Sequence, residues 1–139
     1  QGIQQPDRRD QIVVRPLILA GTLQVFCYSR CSTCRRAIAW LGEHGLDHNV
    51  TDITTHPPSK ELLQSAIDQL GGRKPLFNTS GQSYRALGAA AVKAMSDAEA
   101  LDALAADGRL IKRPFAVCAD GAVLVGFKPQ EWADRLLVN

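Results

Sequence analysis

Residues 23–36 read LQVFCYSRCSTCRR and are the most informative part of this chain. The apolar side chains of Leu23, Val25 and Phe26 predict a β-strand, and a helix-like pattern follows directly after the turn that carries Cys31 and Cys34. A Cys-x-x-Cys pair at the start of a helix that follows a strand is a setting in which a thiol becomes a reactive thiolate. The stretch therefore predicts redox chemistry.

The position of each cysteine suggests its role. A helix N-terminus presents unpaired backbone N–H groups and about half a positive charge to a bound anion. Arg30, Arg35 and Arg36 add positive charge nearby, and this charge favours a thiolate over a thiol. We predict that Cys31, on the N-terminal side, is the nucleophile. Cys34 lies one turn inside the helix, where it can resolve a mixed disulfide.

Length and composition limit the possible functions. A chain of 139 residues is most simply one domain that buries a core without disulfides or metals. Its 16 Lys and Arg against 14 Asp and Glu leave a net charge of +2, too small to predict nucleic-acid binding through bulk charge. No sequence run approaches the roughly 18–20 apolar residues of a membrane span. Four cysteines, of which three are clustered, favour a reducing cytoplasm over a disulfide scaffold.

The first part of the chain differs in composition from the rest. Residues 1–22 begin with a polar, Gln-rich, aperiodic segment, which predicts a tail or an extra edge segment. Gln1-Gly2 resembles the remnant of a cleaved expression tag. We therefore predict that the functional domain comprises residues 23–139.

The order of elements predicts an α/β fold. Helices are expected at 32–44, 59–70, 83–87 and 96–108 and from Pro129 onward, and strands at 23–27, 46–53, 115–118 and 122–127. This order gives a β-α-β unit with parallel strands, a helical insertion at about 57–110 between strands 2 and 3, and an antiparallel hairpin with a closing helix. A Cys-x-x-Cys at the end of the first strand of such a sheet is the thioredoxin-like arrangement.

Arg113-Pro114 precedes the predicted hairpin and is the second candidate for chemistry. The proline restricts Arg113 to an extended backbone, so we expect its side chain to point outward at a strand edge. In thioredoxin-like folds a proline at this point lies beside the Cys-x-x-Cys, usually with a cis peptide bond. By this analogy Arg113 comes within reach of Cys31, where a guanidinium would stabilise a thiolate or bind an oxyanion through two hydrogen bonds.

The remaining cysteines allow other interpretations. Cys27 extends the pattern to Cys-x3-Cys-x2-Cys, a spacing that binds an iron–sulfur cluster in radical enzymes, but those enzymes need a far larger barrel domain. Cys27 is expected at the strand end, with a side role in disulfide exchange left open. Cys118 is expected to be a small buried hydrophobe. None of the clustered cysteines is followed by an arginine six positions later, which excludes a phosphatase-type Cys-x5-Arg loop. No metal site is predicted.

Four ordered motifs carry a resemblance to a known family. They are CSTCRRAxxWL from Cys31, FNTSGxxYR from Phe77, DGRLIKRP from Asp107 and VGFKxxEW from Val125. Over roughly residues 23–137 they resemble the ArsC/Spx family, which holds glutaredoxin-linked arsenate reductases and the Spx regulators. The resemblance implies a thioredoxin-like core with a helical insertion. It also implies that Cys31 is the catalytic cysteine and Arg113 the oxyanion-binding arginine.

The chain departs from the arsenate reductases of this family at several positions. Those enzymes carry only the first cysteine of the loop and use two further arginines, whose nearest matches here are Asn78 and Lys128. Lysine binds an anion as a point charge but lacks the bidentate fork. Ser32 and Thr33, between the cysteines, complete the predicted substrate-binding set. The pattern favours a dithiol redox protein or an Spx-like switch over an efficient arsenate reductase.

Two main hypotheses follow. In the first, Cys31 attacks an oxyanion such as arsenate or a disulfide, Arg113 holds the negative charge, and Cys34, glutathione or glutaredoxin releases the adduct without any bound cofactor. In the second, by resemblance to Spx, a Cys31–Cys34 thiol/disulfide switch controls binding to the RNA polymerase α subunit. Glutaredoxin-like reduction of mixed disulfides is a third possibility.

Overall fold

A four-stranded sheet organises residues 22–137, the part of the chain that the computed structural model describes. The strands are Leu23–Cys27 (β1), His48–Asp52 (β2), Phe115–Val117 (β3) and Val123–Val125 (β4), in the spatial order β2-β1-β3-β4. β1 pairs parallel with β2 and antiparallel with β3, and β3 pairs antiparallel with β4. This topology confirms the predicted β-α-β unit and hairpin. The predicted tail lies, except for Thr22, outside the described residues.

Six α-helices accompany the sheet in the described part of the chain. They are Ser32–Glu43 (α1), Lys60–Leu70 (α2), Gln82–Leu87 (α3), Ala89–Ala94 (α4), Asp97–Ala106 (α5) and Pro129–Leu136 (α6). The sequence did not predict α4, nor the 3₁₀ turns at Lys74–Leu76 and Gly108–Leu110. β2 is also shorter than the predicted strand at 46–53.

Side-chain caps explain where the inserted helices begin and end. The Ser59 side chain accepts a hydrogen bond from the Leu62 N–H at the start of α2, and Gly71 ends that helix with a left-handed φ of 77°. Ser96 and Glu99 exchange side-chain and backbone hydrogen bonds at the start of α5, where the sequence predicted a helix to begin. These contacts lie within a few residues of the helix ends, so the local sequence sets where α2 begins and ends and where α5 begins.

The two faces of the sheet contribute to two hydrophobic cores. The first, which we call the thiol-side core, contains the buried residues Leu23, Val25, Cys27, Cys34, Ala37, Leu41, Ala116, Leu124 and Trp132 from the sheet, α1 and α6. The second, the insertion-side core, includes Leu63, Leu104 and Phe115. Neighbouring residues of β3 and β4 point to opposite cores, as the two-residue period of a strand requires.

A close contact between Gly108 and the Ile53 backbone positions the segment that leads into β3. A Cβ on Gly108 would lie 1.7 Å from the Ile53 carbonyl oxygen, so only glycine fits at this contact. An isolated β-bridge between Phe77 and Ile111 ties the same segment to the insertion. Both contacts fix the backbone shortly before Arg113. The position from which the Arg113 side chain extends is therefore well defined.

Candidate redox site at the start of α1

Cys31 is the N-cap residue of α1. Its backbone is extended, with φ −91° and ψ 116°, and its Sγ accepts a hydrogen bond of 3.4 Å from the Cys34 N–H. The Cys31 N–H donates to the Tyr28 carbonyl at 3.0 Å and closes the turn between β1 and α1. The side chain is partly exposed, as is that of Thr33, while Ser32 is exposed. The Cys31 sulfur therefore combines access to solvent with the positive end of a helix dipole.

Cys34 lies behind Cys31 and is buried. Its Sγ accepts the Tyr28 N–H at 3.4 Å. A hydrogen bond from the Cys27 thiol, followed by the Tyr28 N–H, a hydrogen bond with Cys31 and the charge of Arg113, lowers the pKa of Cys34 to about 6, although burial acts in the opposite direction. The site can therefore hold a buried thiolate at neutral pH.

Cys27 is the last residue of β1 and is also buried. Its hydrogen bond to Cys34, its burial and the nearby negative charge of Cys34 raise the pKa of the Cys27 thiol far above its usual range. Cys27 therefore remains a protonated donor while Cys34 is a thiolate. All four cysteines of the chain are free thiols in this structure.

Arg113 approaches this thiol cluster from the segment before β3. The Arg113-Pro114 peptide bond is cis, as the analogy predicted. The guanidinium Cζ lies 5.2 Å from the centroid of the Tyr28 ring, and Nε and Nη1 are buried without a hydrogen-bond partner in the described structure. The expectation that this side chain points outward is wrong, because it packs on Tyr28 and its charge lowers the pKa of Cys34.

The other two residues that the family alignment suggested are engaged elsewhere. The Asn78 side-chain amide donates to the Arg109 carbonyl at 3.4 Å, and its oxygen accepts from the Ser80 hydroxyl at 3.1 Å. Lys128 is exposed and lies 3.8 Å from a Glu131 carboxylate oxygen. Contact of Asn78 or Lys128 with a substrate therefore stays a prediction.

Cys118 is separate from this cluster. It is partly buried, and the expectation of full burial is wrong because β3 ends at Val117 and the chain turns into the Asp120-Gly121 hairpin. Desolvation, followed by the negative charge of Asp120, raises the pKa of Cys118 to about 11. This combination makes Cys118 a weak nucleophile at neutral pH.

Sequence reasoning missed two features of the site. Tyr28 contacts both partners, since its N–H reaches Cys34 and its ring carries Arg113. The contact of Cys27 with Cys34 was also missed, although β1 alternation places Cys27 toward α1 and helical spacing places Cys34 on the same face as Ala37. Strand alternation and helical spacing together could therefore have predicted the contact between Cys27 and Cys34.

In the described part of the chain, neither a metal cluster nor a membrane helix accompanies the site. Across residues 22–137, no group of three or more His, Cys, Asp or Glu side chains is arranged to bind a metal ion. The helices in that range include none with the length and apolar character needed to cross a bilayer.

Comparisons with known proteins place this geometry in context. The chain is 43% identical over 117 residues to the uncharacterized protein YusI of Bacillus subtilis (strain 168), a match that covers 82% of this chain and 98% of YusI. It is 27% identical over 108 residues to the global transcriptional regulator Spx of Streptococcus pyogenes serotype M3, covering 77% of this chain and 79% of the regulator.

Solved structures show the same similarity. A possible arsenate reductase from Streptococcus mutans UA159 aligns with a TM-score of 0.71 and 42% identity, covering 77% of this chain and 92% of that one. An ArsC family related protein from Bacteroides fragilis aligns with a TM-score of 0.75 and 37% identity, covering 83% and 98%. The family model for the ArsC family matches residues 26–135. This chain therefore belongs to the ArsC family and has its thioredoxin-like fold.

Proposed function

We propose that this chain is a thiol-dependent reductase in which Cys31 attacks an oxidised substrate, either an oxyanion such as arsenate or a disulfide. The observation that carries the proposal is the unsatisfied guanidinium of Arg113, whose Nε and Nη1 are buried without a partner beside the thiol cluster. Buried donors without acceptors cost free energy, and a charged group costs more than a neutral one. An anion that accepts from Nε and Nη1 removes that cost.

The chemistry with an oxyanion takes two steps. The Cys31 thiolate bonds to arsenic and displaces an oxygen, which leaves as water after protonation, while Arg113 and the α1 N-terminus hold the remaining negative charge. Cys34 then attacks the Cys31 sulfur, the sulfur–arsenic bond breaks, and its electron pair leaves with arsenite. The products are arsenite and a Cys31–Cys34 disulfide. With a disulfide substrate, the first attack instead releases a thiolate and leaves a mixed disulfide.

Thiols supply the electrons that reset the site. Glutathione or glutaredoxin would reduce the Cys31–Cys34 disulfide by the same exchange reaction, and no bound cofactor is required. A thiol-linked cycle of this kind requires a reducing compartment, for which we propose the cytoplasm.

A single-turnover assay tests this function. Protein in excess over arsenate, with reduced glutathione and glutaredoxin, is compared for the wild type and for the Cys31→Ser, Cys34→Ser and Cys118→Ser variants. We expect arsenite from the wild type and from Cys118→Ser, the matched control outside the site. Cys31→Ser should form none, and Cys34→Ser should depend entirely on external thiol.

Two outcomes contradict parts of the proposal. If no arsenite forms while the wild-type thiols oxidise to a disulfide, arsenate is not the substrate, and glutathionylated peptides become the test substrates. If Cys31→Ser retains full activity toward either class of substrate, the proposed nucleophile is wrong.

A second candidate function is an Spx-like redox switch that binds the RNA polymerase α subunit. The similarity to regulators named Spx and the presence of a second cysteine at Cys34 favour it. In this function Arg113 would stabilise the oxidised state of the cysteine pair. Binding of the reduced and the oxidised protein to purified α subunit tests it. Redox-dependent binding without turnover would support the switch, and no binding in either state would contradict it.

A further inference from the structure

Three thiols meet at the junction of β1 and α1, and only two of them have a role in the proposed reaction. Cys27 and Cys34 are 3% and 1% exposed and belong to the same thiol-side core. Cys27 faces this core from the end of β1, while Cys34 faces it from the first turn of α1. The two side chains therefore meet across the strand–helix interface.

Cys34 is the central sulfur of the three. The Tyr28 N–H donates to its Sγ at 3.4 Å, and hydrogen bonding with the Cys27 and Cys31 side chains lowers its pKa. The Cys34 N–H in turn contacts the Cys31 Sγ at 3.4 Å. Thiol–disulfide exchange needs an attacking sulfur next to the central sulfur of a disulfide, and this arrangement supplies one.

We propose that Cys27 is a second resolving thiol, which moves the disulfide from Cys31–Cys34 to Cys27–Cys34 and returns Cys31 to its reduced form. The inference rests on the proposed function, since it begins from the Cys31–Cys34 disulfide. The Cys27 sulfur attacks Cys34 Sγ, a Cys27–Cys34 bond forms, and the Cys31–Cys34 bond breaks. Cys31 leaves with the electron pair and takes up the proton that Cys27 loses. No net oxidation or reduction occurs in this step.

Formation of the first disulfide removes what keeps Cys27 inactive. In the reduced protein, the hydrogen bond to the Cys34 sulfur is the largest cause of the raised pKa of Cys27, and the charges of Cys34 and Cys31 add to it. A Cys31–Cys34 disulfide carries no thiolate, so these three contributions disappear. Burial remains, opposed by the charge of Arg113, and the Cys27 thiol becomes easier to deprotonate.

In this relay the Cys27–Cys34 disulfide stores the oxidising equivalent, and Cys31 is free to attack substrate. The Cys27–Cys34 disulfide lies in the thiol-side core, whereas Cys31 stays partly exposed at the helix N-terminus. The chain can then react with a second substrate molecule before an external thiol reduces it. The substrate class is the same, an oxyanion or a disulfide.

Oxidation with excess oxidised glutathione tests the relay in the full chain carrying Cys118→Ser. Samples are quenched in acid at successive times, free thiols are alkylated, and disulfides are located by intact mass and peptide mapping. We expect a Cys27–Cys34 disulfide together with one glutathione on Cys31. The Cys27→Ala variant should form only the Cys31–Cys34 disulfide and carry no glutathione. It should release one reduced glutathione fewer per chain than the protein with Cys27.

The outcomes separate this inference from the proposed function. A protein with intact Cys27 that keeps Cys31–Cys34 and a free Cys27 at all times overturns the relay but leaves the proposed function standing. Failure of both proteins to form any disulfide between these cysteines overturns both. Disulfide mapping of the protein with Cys27 intact requires no substitution in the core. It therefore tests the relay even if circular dichroism shows that the Cys27→Ala variant is misfolded.

Discussion

Two regions of the molecule each contain a partly buried arginine, and the two arginines differ in what surrounds them. In the insertion, Arg73 is 18% exposed and donates to Asp97 at 2.9 Å and to the carbonyl oxygens of Val92, Lys93 and Met95. It thereby closes the C-terminal end of α4. At the thiol cluster, Nε and Nη1 of Arg113 have no partner among the described residues.

The comparison separates an arginine whose donors the fold satisfies from the arginine that we propose binds an anion. Where the fold supplies every acceptor, the guanidinium stabilises local structure, and its loss is expected to lower stability. Where the fold buries donors without acceptors, the unpaired donors lower the stability of the fold. An anion that accepts hydrogen bonds from them removes that cost. We therefore propose that Arg73 stabilises the insertion and that Arg113 binds an anion next to Cys31.

The largest effect is expected from Arg113→Leu. Removal of a donor that stabilises an oxyanion typically lowers catalysis about 10²–10³-fold, so the single-turnover rate should fall by that amount. The free energy of unfolding should change little, because removal of donors that had no partner offsets the loss of the packing on Tyr28. Stopped-flow thiol oxidation and urea unfolding measure the two quantities. A large loss of stability with an unchanged rate would reverse the assignment.

Arg73→Leu is the matched substitution in the insertion. It removes an ion pair and several charged hydrogen bonds and leaves carbonyl oxygens unpaired, which should cost about 2–3 kcal/mol of unfolding free energy. The rate per folded molecule should stay at the wild-type level. Urea unfolding and active-site titration check this pair of results. A rate loss comparable to that of Arg113→Leu would show that the two arginines do not differ in function.

Tyr28→Leu sharpens the comparison by removing the surface on which Arg113 packs. A cation–π contact of this kind contributes about 0.5–2 kcal/mol, so the single-turnover rate should fall by roughly 2- to 30-fold. The Tyr28 backbone N–H still reaches Cys34 in this variant. The absorbance of the thiolate at 240 nm should therefore persist at neutral pH. Its complete loss would mean that the ring, rather than the backbone, maintains the thiolate.

The last prediction concerns the free energy of unfolding as a function of pH. The Cys34 thiol has a pKa of about 6 in the fold against an ordinary 9.0, so its thiolate stabilises the folded state fully above pH 9 and loses this effect as the pH falls through 6. The free energy of unfolding should therefore rise between pH 6 and pH 9 relative to that of Cys34→Ser. The raised pKa of Cys27 opposes stability only above pH 9 and does not alter this window. Identical pH profiles would contradict the buried thiolate.

Features set by neighbours in sequence were predictable. Ser59, Ser96 and Gly71 mark helix boundaries through contacts within a few residues, and the predicted ranges 59–70 and 96–108 agree with the observed helices to within two residues. Helix α4 was not predicted, because the run AAAVKA has helix propensity without an apolar period. Its end is secured instead by Arg73, which lies far away in sequence.

The outline of the site was predictable, but its internal contacts were not. The order of motifs identified the Cys-x-x-Cys and Arg113, because a thioredoxin-like sheet brings the end of β1 and the start of β3 together. The packing of Arg113 on Tyr28 depends on which rotamer the surrounding core allows, and no local pattern encodes it. The roles of these residues, and the limits of the domain, stay predictions.

The most direct measurement is anion protection of Cys31 on a Cys34→Ser background, where no internal thiol completes the reduction. The rate of alkylation of Cys31 by iodoacetamide is measured with and without arsenate, alone and combined with Arg113→Leu or Arg73→Leu. If Arg113 is the anion site, arsenate slows alkylation in the parent and with Arg73→Leu but not with Arg113→Leu. Equal protection with Arg113→Leu, or no protection in the parent, would contradict that role for Arg113.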